Sequence, residues 1–258
     1  TRSILVLGSG SMGQRHIRNL KSLGMEQIAV CDTSPASLSK ITSEQNVKGY
    51  TDFEAAIEAS LPGAVLVCTP PYLHLPQALT AINAGAHVFV EKPLSHSLEG
   101  VDELIQQSQA RRRVVQVGYN WRFHRGLQKV KALVESGAIG RVLWSRAEVG
   151  QYLPDWRPKQ DYRLNYTGQR DLGGGIILDS SHEIDYLRWM FGEVEQVYCL
   201  AGVLSDLDVD AEDTASMVLR FAVGCVGEIH LDFVQRVRSR NCKIVGTEGT
   251  IYWDNLDE

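Results

Sequence analysis

The chain has 258 residues, enough for one large or two modest domains, with the 44% hydrophobic and 22% charged content of an ordinary globular protein. The formal net charge is −5 and no basic block is present, which argues against nucleic acid as a partner. No apolar stretch approaches the roughly 20 residues that span a bilayer, so no membrane partner is expected.

The five cysteines, at positions 31, 68, 199, 225 and 242, are odd in number and form no CxxC pair. Three of them lie in apolar runs that resemble strands, where a reduced cysteine acts as a small hydrophobe. Because the sequence shows no signal peptide, these features predict a reducing, cytoplasmic setting.

Residues 1–120 alternate short apolar runs with helical patterns, which is typical of an α/β domain with a parallel, doubly wound sheet. This stretch is expected to form the first domain. The predicted strands are 3–7, 27–31, 47–50, 64–68, 86–90 and 114–118, and the predicted helices are 11–23, 35–45, 52–60, 72–84 and 97–110.

After residue 120 the pattern changes to longer, alternating runs separated by turn signals, which indicates strands with one buried and one wet face. We therefore expect a second α+β domain over 121–258, built from antiparallel strands. Because the last predicted strand is followed by only a few residues, we expect this domain to be incomplete at its C-terminal end. The predicted elements are a helix over 124–136 and strands over 142–152, 194–204, 214–221, 226–234, 242–245 and 249–253.

The first strand runs directly into a glycine-rich turn that fits a dinucleotide site. Gly8 permits the tight turn, Gly10 lets backbone N–H groups approach a pyrophosphate, and Gly13 lets the following helix pack on the sheet. Asp32, at the end of the second strand, is placed to accept hydrogen bonds from the adenosine ribose. A glycine-rich turn alone would be weak evidence, but strand, helix, second strand and acid follow in the required order. Within this loop the predicted cofactor-binding residues also include Ser9, Ser11 and Met12.

Two further strands, the fourth and fifth, end in polar peptides. The fourth leads into Thr69-Pro70, followed by His74, and the fifth leads into Glu91-Lys92 before a proline. Because ligands bind beyond the carboxyl ends of parallel strands, these residues are predicted to border the cofactor. The lysine could also hydrogen-bond substrate oxygens. The alternative is a surface Glu–Lys pair before a proline turn.

A second constellation follows the three glycines at 173–175. On a predicted helix, Asp179 and His182 are three residues apart and would share a face, which suits a general base with its orienting carboxylate. Asp185, also three residues from His182, competes as the partner. The alternative is that Asp179 or Ser180 caps the helix and His182 packs against the sheet.

The stretch 118–125 follows the last parallel strand, where Asn120 and Arg122 could grip substrate hydroxyls or a phosphate, or only brace two domains. A polar, aromatic loop further on suits a sugar-binding rim. Its candidate residues are Trp156, Tyr162 and Arg163. The scattered histidines form no metal-ligand motif, so no metal is expected.

Taken together, these motifs resemble the Gfo/Idh/MocA oxidoreductases, the family of glucose–fructose oxidoreductase and inositol dehydrogenase. The resemblance implies that 1–120 is a Rossmann domain that binds NAD(P). It implies that 121–258 is built on a large, mainly antiparallel sheet that serves substrate binding and oligomerisation. The implied reaction is nicotinamide-dependent oxidation or reduction of a sugar, cyclitol or sugar derivative, with Lys92 as the active-site lysine and His182 with Asp179 as acid/base and partner. The family usually has three residues between that Asp and His, whereas only two intervene here, so Asp185 stays open as the partner. The motifs that carry the resemblance are, in order, the glycine fingerprint, Thr69-Pro70, Glu91-Lys92-Pro93, 118–123 and the glycine triplet with Asp179 and His182.

The resulting hypothesis is that His182 removes a proton from a substrate hydroxyl while Lys92 steadies the developing oxyanion. NAD is favoured over NADP because the Asp32 carboxylate would repel a 2′-phosphate and no nearby arginine would bind one. A glycosidase that uses NAD transiently and a non-catalytic NAD-binding regulator are the alternatives.

Overall fold

The computed structural model describes residues 3–255, which form two compact units that divide between Gly118 and Tyr119. Among the described residues, no helix is long and apolar enough to cross a membrane. All five cysteines are free.

The first unit is a six-stranded parallel sheet in the order β3-β2-β1-β4-β5-β6, with helices between successive strands. Strands β1, β2 and β4 are apolar and almost wholly buried, as expected for parallel strands covered on both faces. The chain passes from β1 to β2 on one side of β1 and later returns to form β4 on its other side. The strand order therefore reverses beside β1. In open parallel sheets this switch point is where ligands bind. The elements are β1 Ile4–Leu7, α1 Ser11–Ser22, β2 Ile28–Cys31, α2 Pro35–Gln45, β3 Lys48–Tyr50, α3 Phe53–Ser60, β4 Ala64–Val67, α4 Pro71–Asn83, β5 His87–Val90, α5 Val101–Ala110 and β6 Val115–Val117.

Local chemistry explains where several of these helices begin. The Ser34 side chain accepts a hydrogen bond from the Ser37 amide and Pro35 occupies the first turn, so α2 begins as predicted. The Asp52 carboxylate caps α3 in the same way by accepting from Ala55. The prediction for the fifth helix was wrong at its start, because Gly100 has a φ of +81° and α5 begins only after it.

The second unit is built on a six-stranded sheet in the order β12-β11-β7-β10-β9-β8. All neighbouring strands are antiparallel except β7 and β10, which pair in parallel. Strand β9 alternates buried and exposed residues along its length, so one sheet face packs on the helices of the unit and the other faces outwards. The elements are α6 Arg125–Glu135, β7 Val142–Gly150, α7 Leu153–Trp156, α8 Ile176–Asp179, α9 His182–Phe191, β8 Val194–Gly202, β9 Thr214–Phe221, β10 Val226–Asp232, β11 Ser239–Gly246 and β12 Thr250–Asp254.

One predicted element of this unit is wrong in a way that matters for the site. The single helix expected to carry both Asp179 and His182 is two helices, α8 and α9, separated at Ser180 and Ser181. Ser180 has φ −102° and ψ 31°, outside the helical region, so the argument that three-residue spacing puts the two side chains on one helical face does not hold.

Candidate functional site

The glycine loop of the first unit has the backbone geometry that each glycine predicts. Gly8 has a φ of +87°, and a Cβ there would lie 2.8 Å from the carbonyl oxygen of Cys68, so only glycine fits. A Cβ at Gly13 would collide with the carbonyl oxygen of Gly8, so α1 packs too closely on the loop for any side chain there. A Cβ at Gly10, by contrast, would meet no described atom within 4 Å. Gly10 therefore borders open space at the N-terminus of α1.

Asp32 holds this loop in place from the end of β2. One carboxylate oxygen accepts hydrogen bonds from the Ser9 amide at 2.7 Å and the Ser9 hydroxyl at 2.6 Å. The other accepts from the Ser34 amide at 2.8 Å. The candidate ribose acceptor and the phosphate loop are thus parts of one hydrogen-bonded structure. Ser11 and Met12 lie in the first turn of α1.

The geometry of this end of the first unit fits a dinucleotide. No side chain of the described residues caps α1, so its first N–H groups and its positive dipole end face the open space beside Gly10. That arrangement is an anion site of the kind that holds a pyrophosphate. Gly8, Gly10 and Gly13 would hold the phosphates, and Asp32 the ribose.

His74 links the two polar peptides that follow β4 and β5. Its Nδ1 lies 2.7 Å from the carbonyl oxygen of Pro93 and its Nε2 lies 2.7 Å from that of Thr69. The side chain is 1% exposed, and burial lowers its pKa despite the opposing effect of the two backbone contacts. His74 therefore braces the loops that carry Thr69-Pro70 and Lys92, and its predicted cofactor contact stays a prediction.

Glu91 and Lys92 directly follow β5. The Glu91 carboxylate lies 2.6 Å from Nε2 of His16 on α1, so it ties the end of β5 to the helix that bears the glycine loop. Lys92 is half-buried and comes next in the chain. The Thr69 hydroxyl, on the neighbouring loop, donates to the Gln77 side chain at 2.7 Å. The first unit thus gathers the glycine loop, Thr69-Pro70 and Glu91-Lys92 at one sheet edge, as predicted.

In the second unit, His182 opens α9 and is 8% exposed. Two aromatic rings flank its imidazole, that of Tyr119 edge-on at 5.8 Å between centroids and that of Trp121 tilted at 6.2 Å. The Tyr119 hydroxyl lies 3.4 Å from that of Ser181, the residue before α9. Asp179 ends α8 and is half-buried. The imidazole therefore has a fixed environment that the sequence pattern did not reveal.

Arg122, which was predicted to bind substrate, instead forms an ion pair with Asp185, the alternative partner predicted for His182. Its Nε and Nη2 donate to the two Asp185 oxygens at 2.9 and 2.6 Å, a paired geometry that also raises the pKa of Arg122. Both residues belong to the second unit, so this pair is not a brace between two domains, and it gives Asp185 a partner other than His182. Asn120 is exposed and lies with Arg122 in the 3₁₀ turn Asn120–Phe123.

The aromatic loop of the second unit forms a small pocket, lined in part by Trp156 and Tyr162. The Trp156 indole donates to the Gln151 carbonyl at 3.0 Å, and the Tyr162 hydroxyl accepts from the Asp208 amide at 3.2 Å. Arg163, which was predicted for the same rim, forms an ion pair with Asp161, with its Nη2 2.6 Å from Oδ2. The complete lining is Leu153, Trp156, Arg157, Gln160, Tyr162, Asn165 and Thr167.

Sequence reasoning missed the buried pair of Glu183 and Arg240, whose Nε–Oε1 distance is 3.0 Å. Glu183 stood beside His182 in the sequence and could have been noticed as a polar residue in an apolar helix pattern. Nothing in the sequence pointed to Arg240, which lies on β11. Within residues 3–255, no three His, Cys, Asp or Glu side chains gather as metal ligands.

A parallel, doubly wound sheet with this glycine loop defines the first unit as a nucleotide-binding Rossmann domain. Residues 2–119 match the oxidoreductase family with an NAD-binding Rossmann fold, and residues 127–252 match the Gfo/Idh/MocA C-terminal domain. The chain belongs to the Gfo/Idh/MocA oxidoreductase family, as the sequence motifs predicted.

Individual relatives support the same membership. The chain is 33% identical to a myo-inositol 2-dehydrogenase of Thermotoga maritima, over 98% of this chain and 75% of that protein. It is 26% identical to a levoglucosan dehydrogenase of Pseudarthrobacter phenanthrenivorans, over 96% and 72% of the two chains. Among solved structures, the WlbA dehydrogenase of Bordetella pertussis, in complex with NADH and UDP-GlcNAcA, aligns with a TM-score of 0.90 and 25% identity over 99% and 80% of the chains.

Proposed function

We propose that this chain is an NAD-dependent dehydrogenase that oxidises a ring hydroxyl of a cyclitol or sugar, with myo-inositol the first substrate to test. The observation that carries the proposal is the open cradle at Gly10 with Asp32 beside it, in a chain of an NAD-binding oxidoreductase family. The choice of a cyclitol rests on the relative named myo-inositol 2-dehydrogenase, which matches almost the whole chain. Glycosidase and regulator alternatives are not favoured, because the matching relatives reported above are dehydrogenases.

The first unit supplies the cofactor site in this proposal. The α1 N-terminus and the glycine loop bind the pyrophosphate, and Asp32 accepts from the adenosine ribose. When bound, NAD supplies the hydride acceptor. The negative charge of Asp32 disfavours the 2′-phosphate of NADP. Thr69, Pro70, His74 and Glu91 shape the loops on the nicotinamide side of the same sheet edge.

The acid/base chemistry is assigned to two side chains, His182 and Lys92. His182 removes the proton from the substrate hydroxyl as the C–H bond breaks, and the Lys92 ammonium steadies the charge that develops on oxygen. Asp179 is assigned as the carboxylate that orients His182, because Asp185 is already held by Arg122. General-base catalysis of this kind contributes about 10²–10⁴-fold.

The substrate contacts are assigned to Asn120 and to the aromatic loop. Trp156 and Tyr162 are assigned to the rim of the substrate site, where an aromatic face packs on the apolar face of a sugar ring. The pocket that they line is itself too small to enclose a ring. Arg163 and Arg122 each hold a neighbouring carboxylate, so each would have to exchange that partner for a substrate oxygen.

The proposal also includes a homo-oligomer formed through the outward face of the second sheet. Some side chains on that face are apolar and exposed, among them Tyr198 at 72% and Leu200 at 84% on the edge strand β8, and Tyr252 at 64% on β12 at the opposite edge. Exposed apolar side chains that lie next to each other, as on β8, are typical of association sites. We expect light scattering to give more than one chain per particle and Leu200→Glu to reduce that number. A monomeric wild-type protein would contradict this part of the proposal.

The free cysteines support a cytoplasmic location.

The test of the activity is NADH formation with a panel of cyclitols, sugars, sugar acids and nucleotide sugars, each with NAD and with NADP. We expect turnover of myo-inositol with NAD, and a loss of about 10²-fold or more in kcat for His182→Asn with unchanged NAD affinity. Equal activity of His182→Asn would remove its assigned role. NAD binding without turnover of any compound in the panel would contradict the dehydrogenase proposal.

A further inference from the structure

A buried ion pair lies directly beside His182 in the second unit. Glu183, the second residue of α9, is 0% exposed, and the Arg240 side chain on β11 is 15% exposed. Arg240 Nε lies 3.0 Å from one Glu183 oxygen, and its Nη2 donates to the other at 3.4 Å. Removing two charges from water is costly, and apolar residues of the same volume often stabilise a fold as well. The pair is therefore poorly explained by stability alone.

Arg240 connects this ion pair to the aromatic wall of His182. Its guanidinium carbon lies 4.5 Å from the centroid of the Trp121 ring, in a cation–π arrangement. The Trp121 ring in turn lies 6.2 Å from the His182 ring. A continuous set of contacts thus runs from the Glu183 carboxylate through the guanidinium and the indole to the imidazole.

A second ion pair joins α9 directly to the 3₁₀ turn that carries Trp121. Arg122, the residue after Trp121, donates to both oxygens of Asp185. The 3₁₀ turn Asn120–Phe123 is therefore held on the first turn of α9 directly by this pair and indirectly, through Arg240 on β11, by the buried pair. The first turn of α9 begins with His182, so both ties constrain the segment that bears the imidazole.

We propose that Glu183 and Arg240 are positioning residues for His182. The Glu183 carboxylate fixes the plane of the Arg240 guanidinium, the guanidinium fixes the Trp121 indole, and the indole limits the orientations open to the imidazole. Proton transfer requires that imidazole to lie within hydrogen-bond reach of the substrate hydroxyl, and a displacement of about 1 Å can cost about 10²-fold in rate. The inference rests on the proposed role of His182 as the acid/base.

The first experiment compares Glu183→Gln with a matched control at Glu193, just beyond the end of the same helix. Glu193→Gln makes the same substitution in an exposed ion pair, that of Glu193 with Arg188 at 2.6 Å. With myo-inositol and NAD, we expect Glu183→Gln to lower kcat at least tenfold while the KM for NAD stays within about twofold. Glu193→Gln should change neither value by more than about twofold, as is usual for a surface pair. A wild-type kcat in Glu183→Gln would overturn the proposal.

A second variant covers the case in which Glu183→Gln does not fold. Arg240→Lys keeps a positive partner for Glu183 but lacks the planar group that stacks on Trp121. We expect this variant to unfold near the wild-type temperature and to lose at least about fivefold in kcat. A folded Arg240→Lys protein with wild-type kcat would show that the stacking does not position His182, and would overturn the proposal.

A spectroscopic measurement separates this inference from the proposed function. In protein labelled with ¹³C-histidine, the Cε1–Hε1 signal of His182 is assigned as the one missing in His182→Asn. We expect it to move in Glu183→Gln and Arg240→Lys but not in Glu193→Gln. An unmoved signal would overturn positioning whatever the activity. A moved signal in a protein that oxidises no compound of the panel would support positioning and contradict only the proposed function.

Discussion

Exchanging single glycines of the cofactor loop for alanine separates cofactor binding from folding. At Gly8 the backbone has a φ of +87° and the added Cβ would lie 2.8 Å from the Cys68 carbonyl oxygen. Left-handed backbone costs about 1–2 kcal/mol in a non-glycine residue. Overpacking against backbone adds about 1–3 kcal/mol. At Gly10 the φ is −64°, which alanine adopts freely, and the Cβ would meet no described atom within 4 Å.

The two variants should therefore behave differently in the absence of cofactor. Gly8→Ala should lose about 2–5 kcal/mol of unfolding free energy by summing these costs. For a chain of this size 1 kcal/mol shifts Tm by about 2–4 °C, so we expect Tm to fall by at least about 4 °C. Gly10→Ala exchanges one N-cap residue for a slightly poorer one and should stay within about 1 kcal/mol of wild type.

The assay is thermal unfolding without NAD, followed by calorimetric titration with NAD. Gly10→Ala should keep its Tm and weaken NAD binding at least tenfold, equal to about 1.4 kcal/mol, because the new methyl group occupies the space where backbone N–H groups meet the pyrophosphate. Unchanged NAD affinity in folded Gly10→Ala would refute the placement of the cofactor on this loop. A wild-type Tm in Gly8→Ala would refute the close packing on which the loop geometry rests.

Three further predictions follow from single residues. Asp32→Asn should reduce discrimination against NADP by about tenfold in kcat/KM, because it removes the charge that repels the 2′-phosphate; unchanged discrimination would contradict the selector role. Burial raises the pKa of Asp213, but hydrogen bonds from the Ser205 side chain and backbone amides outweigh it and leave the pKa lowered. The stability contributed by Asp213 should therefore be full at neutral pH and fall as the pH drops below about 3.8. The unfolding free energies of wild type and Asp213→Asn, measured by denaturant titration, should converge on acidification. A difference that stays constant with pH would contradict the assignment. Iodoacetamide at pH 8 should alkylate exposed Cys199 well before Cys31. The reason is that burial, together with the nearby charges of Asp52 and Asp32, raises the pKa of Cys31 to about 11. Equal alkylation rates, measured by mass spectrometry, would contradict the structure.

The first unit was largely predictable because its signals are local. Parallel strands buried on both faces appear as continuous apolar runs, so β1, β2, β4 and β5 were located to within a residue. The spacing of the glycines and the position of Asp32 depend on backbone geometry over about 30 residues, and the structure reproduces both. The family resemblance added the reaction class, which no periodicity could have supplied.

The second unit shows where the sequence alone was insufficient. Asp179 and His182 looked like one helical face because three-residue spacing assumes an unbroken helix, yet the chain breaks at Ser180 and Ser181. A serine pair is compatible with either conformation, and only packing in the unit chose between them.

What the sequence determined by itself is the order of strands and helices in the first unit, the cofactor loop, and the identity of the candidate catalytic residues. What only the tertiary structure decided is which charges meet. Arg122 and Asp185 are 63 positions apart and Glu183 and Arg240 are 57 apart, so no local pattern links them. The physical reason is that helix and strand periodicity acts over a few residues, whereas ion pairs form between whatever side chains the completed fold brings within about 3 Å.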